Sequence, residues 1–301
     1  MSDNNGLIDA DLVHRLVASQ FPQWAHLSIK PVKQSGWDNR TFHLGEAMLV
    51  RLPSAACYSP QAQKEFYWLP KLAPHLPVSI PHPLALGTPN KEYPWHWSIY
   101  QWLEGETLTS EQGTDLCQVA RDLAQFLVAL RQIDSTEGPV AGPHNFYRGG
   151  ALALYDAQTQ EAIALLGAMI DTKAVTAVWK RALSSSWEGS PVWVHGDVAV
   201  GNVLVKERRL TAVIDFGCMG TGDPACDGAI AWTFFKGESR KTFFNELFFD
   251  NATVDRARGW ALWKALIVCA KLSGANPSDI EKSKHVIEEL VGEYYQNKET
   301  L

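Results

Sequence analysis

Apolar residues Ile8, Leu12, Val13, Leu16 and Val17 recur at three- and four-residue spacing, which predicts an amphipathic helix ending before Pro22. The pattern then shortens to strand length. Residues 26–34, 40–44 and 47–52 read as three strands separated by Ser35-Gly36-Trp37-Asp38-Asn39 and by Gly45-Glu46, an antiparallel meander. Ser59-Pro60 opens a helix with a capping hydroxyl and a residue whose missing N–H is not needed at the first position. Glu65 lies in that helix, and Pro70 ends or kinks it. Residues 84–88 and 97–103 add two strands around the turn Pro89-Asn90-Lys91.

The polar stretch 104–113, with two glycines, marks a junction, so the chain divides into lobes 1–103 and 104–301. Beyond it the period becomes helical. Leu116, Val119, Ala120, Leu123, Leu127 and Leu130 form one stripe, and further helices cover about 157–170 and 172–183. A strand-rich insert at 191–216 interrupts them, with 203–205 and 210–214 flanking the charged turn Lys206-Glu207-Arg208-Arg209. From about 224 onward the pattern is helical again.

Composition narrows the classes. With 301 residues, 46% hydrophobic and 20% charged, the chain has material for two lobes sharing a cleft. A net charge of -6 leaves no basic footprint for nucleic acid or an anionic membrane. The polar, acidic opening residues lack a secretory pattern and no apolar run spans a bilayer, so a cytoplasmic location is expected. Five cysteines without a C-x-x-C pair are expected as buried, reduced thiols. The sequence is silent on oligomeric state.

The chemistry is concentrated in Val192-Trp193-Val194-His195-Gly196-Asp197, then Asn202, then Ile214-Asp215-Phe216-Gly217, with Gly222-Asp223-Pro224 and Asp227 following. This arrangement resembles the catalytic loop and D-F-G motif of protein kinases, in the His-Gly-Asp form of the aminoglycoside phosphotransferase family. No Ala-Pro-Glu motif and no long activation segment follow, so it is unlike a protein kinase itself. The resemblance implies an α+β, bilobal protein-kinase-like fold: a five-stranded antiparallel sheet plus helices first, then a mainly helical lobe. It also implies ATP or GTP as phosphoryl donor, Mg²⁺, and a hydroxyl-bearing small molecule as acceptor. The favoured acceptor is an aminoglycoside-type antibiotic, and the alternative is a sugar, amino alcohol or amino acid. A catalytically silent nucleotide-binding module is a third reading, but Asp197, Asn202 and Asp215 are all present.

Phosphoryl transfer asks a protein for positioning and charge neutralisation, and Mg²⁺ needs few protein oxygens because phosphate and water complete its shell. Asp215 and Asn202 suit the metal, Asp197 the acceptor hydroxyl, and His195 a bracing role. Asp227 either anchors the catalytic loop or caps a helix. By resemblance, Ser35 and Gly36 lie in a flap over the phosphates. Arg51 stands where the family pattern expects lysine, and Glu65, fourteen residues on, is its partner. The main chain of Gln101 and Leu103 is the expected adenine contact. Asp223, Glu246, Asp250 and Asp255 are candidate counterparts of the acids that hold ammonium groups in drug-modifying relatives. Trp232, Phe234, Phe235, Trp260 and Trp263 are read as core.

Overall fold

The computed structural model describes residues 8–33, 36, 38–109, 115–274 and 276–299, the side chains of 297–299 excepted. Helix α1 (Ala10–Gln20) starts on Asp9, whose carboxylate accepts the Leu12 N–H at 2.8 Å, and buries the predicted Leu12, Val13, Leu16 and Val17. It packs on a sheet of β1 (Ile29–Pro31), β2 (Asn39–Leu44) and β3 (Met48–Pro53). Helix α2 (Ser59–Leu72) then precedes β4 (Pro83–Gly87) and β5 (Trp97–Gln101). The five strands are antiparallel in the order β1-β2-β3-β5-β4. Strand β1 is shorter than the expected 26–34, and two details of α2 also differ from expectation. The Ser59 hydroxyl donates to the Ala56 carbonyl at 2.9 Å instead of capping the helix. Helix α2 also continues through Pro70 to Leu72, because a proline in the last turn forfeits little of the ladder.

The remainder is mainly helical. Strand β6 (Glu106–Thr107) leads to α3 (Leu116–Gln132), whose cap is Asp115, then to α4 (Asp156–Leu166) and α5 (Thr172–Ala182). The insert supplies β7 (Val192–Val194), β8 (Val203–Lys206) and β9 (Arg209–Val213), and β10 (Gly220–Gly222) follows it. Helices α6 (Ile230–Thr233), α7 (Gly237–Leu247), α8 (Asn251–Cys269) and α9 (Pro277–Glu299) close the chain. Strand β8 pairs with β6 and β9, and β7 with β10. Sequence pattern misses β6 and β10, since two residues in the first and three, two of them glycine, in the second carry no alternation to read.

The apolar side chains form two separate clusters. One lies between α1 and the sheet, around Leu16, Leu44, Val50, Leu52 and Trp97. The other runs through the helices, around Phe126, Trp179, Phe216, Trp232 and Leu266, and takes in Leu69 and Leu72 of α2 and Tyr100 of β5. Helix α2 and the end of β5 therefore bridge sheet and helices, which positions everything that follows. All five cysteines are free, but only Cys218 and Cys226 are buried, and Cys57 is exposed. Among the described residues no helix is long and apolar enough to cross a membrane.

Candidate active site

Strand β7 delivers the chain into His195-Gly196-Asp197. Gly196 has φ +81°, and a Cβ there would stand 2.2 Å from the Cys218 carbonyl oxygen, so the turn admits only glycine. The Asp227 carboxylate accepts the N–H groups of His195 at 2.9 Å and Gly196 at 2.8 Å. Of the two readings of Asp227, loop anchor is what the structure displays. Burial pushes its pKa above the ordinary carboxylate value. The ring of His195 is fully buried, with Nδ1 accepting the Asp197 N–H at 3.3 Å and Nε2 lying 3.0 Å from the Ile214 carbonyl oxygen. That pattern places its hydrogen on Nε2 and makes it a brace between two loops.

Asn202 and Asp215 meet at the same point. The Ile214 N–H donates to the Asn202 carbonyl at 2.9 Å, and Asn202 Nδ2 donates to the Asp197 carbonyl at 2.9 Å. With its nitrogen committed to Asp197, the Asn202 amide keeps its side-chain oxygen as the remaining donor atom for a ligand. Asp215 adopts φ +66°, a left-handed conformation uncommon outside glycine. One carboxylate and one amide oxygen are hard donors that fit Mg²⁺. Among the described residues no three His, Cys, Asp or Glu side chains gather into a metal cage, so phosphate and water would complete such a shell.

The sheet reaches this point through Arg51. Its Nη1 donates to Glu65 at 3.2 and 3.3 Å, and its Nη2 donates to Asp215 Oδ1 at 2.6 Å. Glu65 is buried on α2 and also accepts the Tyr100 hydroxyl. Burial works against the Arg51 charge, but Glu65 and Asp215 hold its pKa well above the ordinary value. Gln61, Lys64 and Glu65 recur at i, i+3 and i+4, so one face of α2 turns toward 215–219. Lys64 Nζ donates to the carbonyls of Gly217 at 2.8 Å, Met219 at 2.9 Å and His144 at 3.3 Å. A Cβ on Gly217 would meet the Gln61 amide at 2.7 Å.

Lys264 of α8 places Nζ 2.9 Å from Asp197 Oδ1. Arg148 lies against the same loop, its Cβ 3.0 Å from where a Gly196 Cβ would be. Burial tends to raise the Asp197 pKa, but Lys264 and Arg148 outweigh it and bring it down to about 2. Asp38 is the opposite case. Burial, Asp215 and Asp197 push its pKa up to about 6, against a 3.3 Å hydrogen bond from Gln61. Sequence reading missed Lys64, Arg148 and Lys264; only Lys64 carried a signal, its helical spacing from Gln61 and Glu65.

Among the other candidates, Ser35 lies outside the described residues. Gly36 is exposed, its carbonyl accepts from Arg40 at 3.0 Å, and no atom stands within 4 Å of a Cβ there. Gln101 spends its N–H on the His82 carbonyl at 3.0 Å, and Trp102 spends its own on Ala47 at 2.8 Å. Among the described residues no acceptor meets the N–H of Leu103, nor those of Glu104 and Gly105, so Leu103 is one of the open donors of that connection. The four acids proposed for ammonium binding are otherwise engaged. Asp223 is buried against Arg256 at 2.7 Å, Glu246 pairs with Arg121, Asp250 caps α8, and Asp255 pairs with Arg181 and Arg258.

A five-stranded sheet lying over a helical lobe, with acid-bearing loops between, defines the protein-kinase-like phosphotransferase class. The chain belongs to the phosphotransferase enzyme family (APH), whose model matches residues 28–265. Among solved structures, the GDP complex of wild-type aminoglycoside 2'-phosphotransferase-IIIa is similar at 17% identity and TM-score 0.73, over 95% of this chain and 99% of that one. The GDP and kanamycin complex of APH(2")-IIia is similar at 18% identity and TM-score 0.72, over 95% and 98%. Macrolide 2'-phosphotransferase MphH from Brachybacterium faecium is similar at 20% identity and TM-score 0.62, over 93% and 97%. No curated protein matches the chain by sequence.

Proposed function

We propose that the chain moves the γ-phosphoryl group of ATP or GTP to a hydroxyl of a small molecule, with Asp197 as catalytic base. The supporting observation is the joint made by Asn202, bonded through Nδ2 to the Asp197 carbonyl and through its own carbonyl to the Ile214 N–H, both at 2.9 Å. It ties the loop that carries Asp197 and Asn202 to the residue preceding Asp215. The lobe 1–103 covers the nucleotide, and 104–301 carries the base and the acceptor. Solved relatives hold GDP, ADP or ATP, consistent with a nucleotide donor.

Asp197 orients the acceptor hydroxyl and receives its proton as the acceptor oxygen bonds to the γ-phosphorus. The bond from that phosphorus to the β,γ-bridging oxygen breaks, and the nucleoside diphosphate leaves. Asn202 and Asp215 hold Mg²⁺, which when bound neutralises phosphate charge. Arg51 steadies Asp215 and presents a permanent cation to the phosphates. Leu103 offers its N–H to the adenine or guanine edge, and the segment of Ser35 and Gly36 covers the phosphates.

Relatives that hold kanamycin or streptomycin suggest an antibiotic acceptor by likeness alone. A non-antibiotic metabolite is favoured by a specific observation, the prior engagement of Asp223, Glu246, Asp250 and Asp255 by their own neighbours. Release of ADP or GDP with Mg²⁺ and an acceptor panel tests the activity. Asp197→Ala abolishes transfer while retaining nucleotide affinity, and Asp215→Ala also loses the Mg²⁺-dependent part of that affinity. Wild-type turnover in either variant overturns the assignment.

A further inference from the structure

The edge of the site away from the sheet is cationic. Lys264 reaches Asp197 from α8, which packs against α4, α5, α6 and α9 within the helical lobe, whereas Arg51 reaches Asp215 from the sheet. On α8, Trp260, Trp263 and Lys264 share one face by their i, i+3, i+4 spacing. Arg148 lies over that face, its Cζ 4.7 Å from the Trp263 ring centroid and 5.4 Å from that of Trp260. Tyr155 packs beneath, 4.2 Å from Trp263 between ring centroids, and Gln158 accepts the Trp263 indole N–H at 2.8 Å. The platform is therefore fixed before any ligand arrives.

Two features of this edge point to a ligand. The Arg148 Nε is buried with no hydrogen-bond partner, a costly state for a guanidinium held rigid on aromatic rings. And Lys264 and Arg148 both act on Asp197, which the proposed chemistry commits to the acceptor hydroxyl, while Asp38 and Asp215 are held on the other side by Gln61 and Arg51. A polycationic acceptor would bring ammonium groups against Arg148 and Lys264, a repulsion that sets specificity as firmly as any attraction.

We infer that the acceptor carries, beside its reacting hydroxyl, an oxyanion that Arg148 and Lys264 receive next to Asp197. This rests on the phosphotransferase reading above and deepens it: the substrate class is hydroxy acids or hydroxylated phosphate esters. Planar guanidinium and point-like ammonium together suit a carboxylate or a phosphate, and neither suits a neutral polyol as well. Acceptor chemistry is unchanged, since the oxyanion binds and only the hydroxyl oxygen is phosphorylated.

The test compares matched acceptors with Mg²⁺ and ATP or GTP: D-glycerate, glycerol 3-phosphate and glycerol; gluconate, glucose 6-phosphate and glucose; and kanamycin as the cationic probe. Two readouts are taken, nucleoside diphosphate release and the Tm increase that each probe produces in the presence of Mg²⁺ and a non-hydrolysable ATP analogue. The anionic members are expected to give the larger signal in both, and the carboxylate and phosphate arms tell the two oxyanions apart. Lys264→Gln is expected to raise the KM or midpoint for the anionic probe about ten- to a hundredfold, as for a lost charged hydrogen bond, with nucleotide KM unmoved and Lys264→Arg restoring most of the loss. Lys264 is 45% exposed, so this variant should fold even where Arg148→Gln does not. Equal or better signal from glycerol, glucose or kanamycin overturns the inference while leaving phosphotransfer intact, as does absence of any preference. A Lys264→Gln effect on nucleotide KM alone also overturns it, assigning the lysine to the γ-phosphate instead. Loss of the phosphotransferase reading looks different: no Mg²⁺-dependent nucleotide binding and no diphosphate release with any probe.

Discussion

Arg51 of β3 holds Asp215 across the cleft, Nη2 to Oδ1 at 2.6 Å, while its Nη1 grips Glu65 of α2 at 3.2 Å. One planar fork thus ties a strand, a helix and the proposed metal-binding loop. A lysine ammonium is a single point on a flexible stem and satisfies two carboxylates in different directions poorly. Arginine at this position is therefore suited to the geometry rather than a weakened lysine.

Arg51→Lys is expected to lower kcat/KM about ten- to a hundredfold, the worth of one charged hydrogen bond, with much of the loss in nucleotide KM. Steady-state kinetics with varied nucleotide checks it. Unchanged nucleotide KM and kcat would make Arg51 a strand cation with no part in nucleotide binding.

Asp38 gives a pH dependence of definite sign. Its carboxyl, raised to about 6 by burial and by Asp215, is neutral at pH 5 and anionic at pH 7.5 in the folded protein. A negative charge beside the phosphate path opposes an anionic nucleotide. Affinity for the magnesium nucleotide should weaken as pH rises through 6, and Asp38→Asn should flatten that dependence and tighten binding at pH 7.5 by about two- to fivefold, as for a partly screened charge. Calorimetric titration at pH 5 and 7.5 measures both, and weaker binding by the variant at pH 7.5 would contradict the sign.

The sheet, the α1 stripe and the two motif loops were legible because each depends on local period or fixed spacing: Leu12, Val13, Leu16 and Val17 are buried on one side, and His195 to Asp227 keep their family order. What stayed hidden depends on chain segments far apart. Lys264 meets Asp197 across 67 positions and Arg256 meets Asp223 across 33, and nothing local marks either pairing. The partners of the acids nominated for the acceptor were hidden for the same reason, since a carboxylate's partner is a tertiary fact.

Gly196→Ala tests the tightness of the catalytic loop. The added Cβ would stand 2.2 Å from the Cys218 carbonyl, a backbone atom that no rotamer change can move, at a φ of +81°. Loss of about 2 kcal/mol or more in stability is expected, together with near-complete loss of turnover as Asp197 is displaced. Denaturant unfolding and activity assays read the two effects, and wild-type behaviour in both would show that the loop yields.

Lys64 offers the sharpest link between stability and function. Its ammonium donates to Gly217 and Met219 at 2.8 and 2.9 Å, so α2, which carries Glu65, is pinned to the stretch that carries Asp215. Lys64→Met keeps the stem but leaves those carbonyls without their donor, at about 1–3 kcal/mol for each group left unsatisfied. Turnover should fall with stability, because Glu65, Arg51 and Asp215 lose a shared tether. Burial lowers the Lys64 pKa to about 8 from an ordinary 10.5, so between those values the unfolded chain holds the proton and the folded one does not. Stability from this group therefore rises with pH across that window. The gap between wild type and Lys64→Met, measured by urea unfolding at pH 7 and pH 10, should widen at the higher pH, where the neutral amine still donates to the carbonyls. A constant gap would mean that the lysine titrates in the folded protein as it does in water.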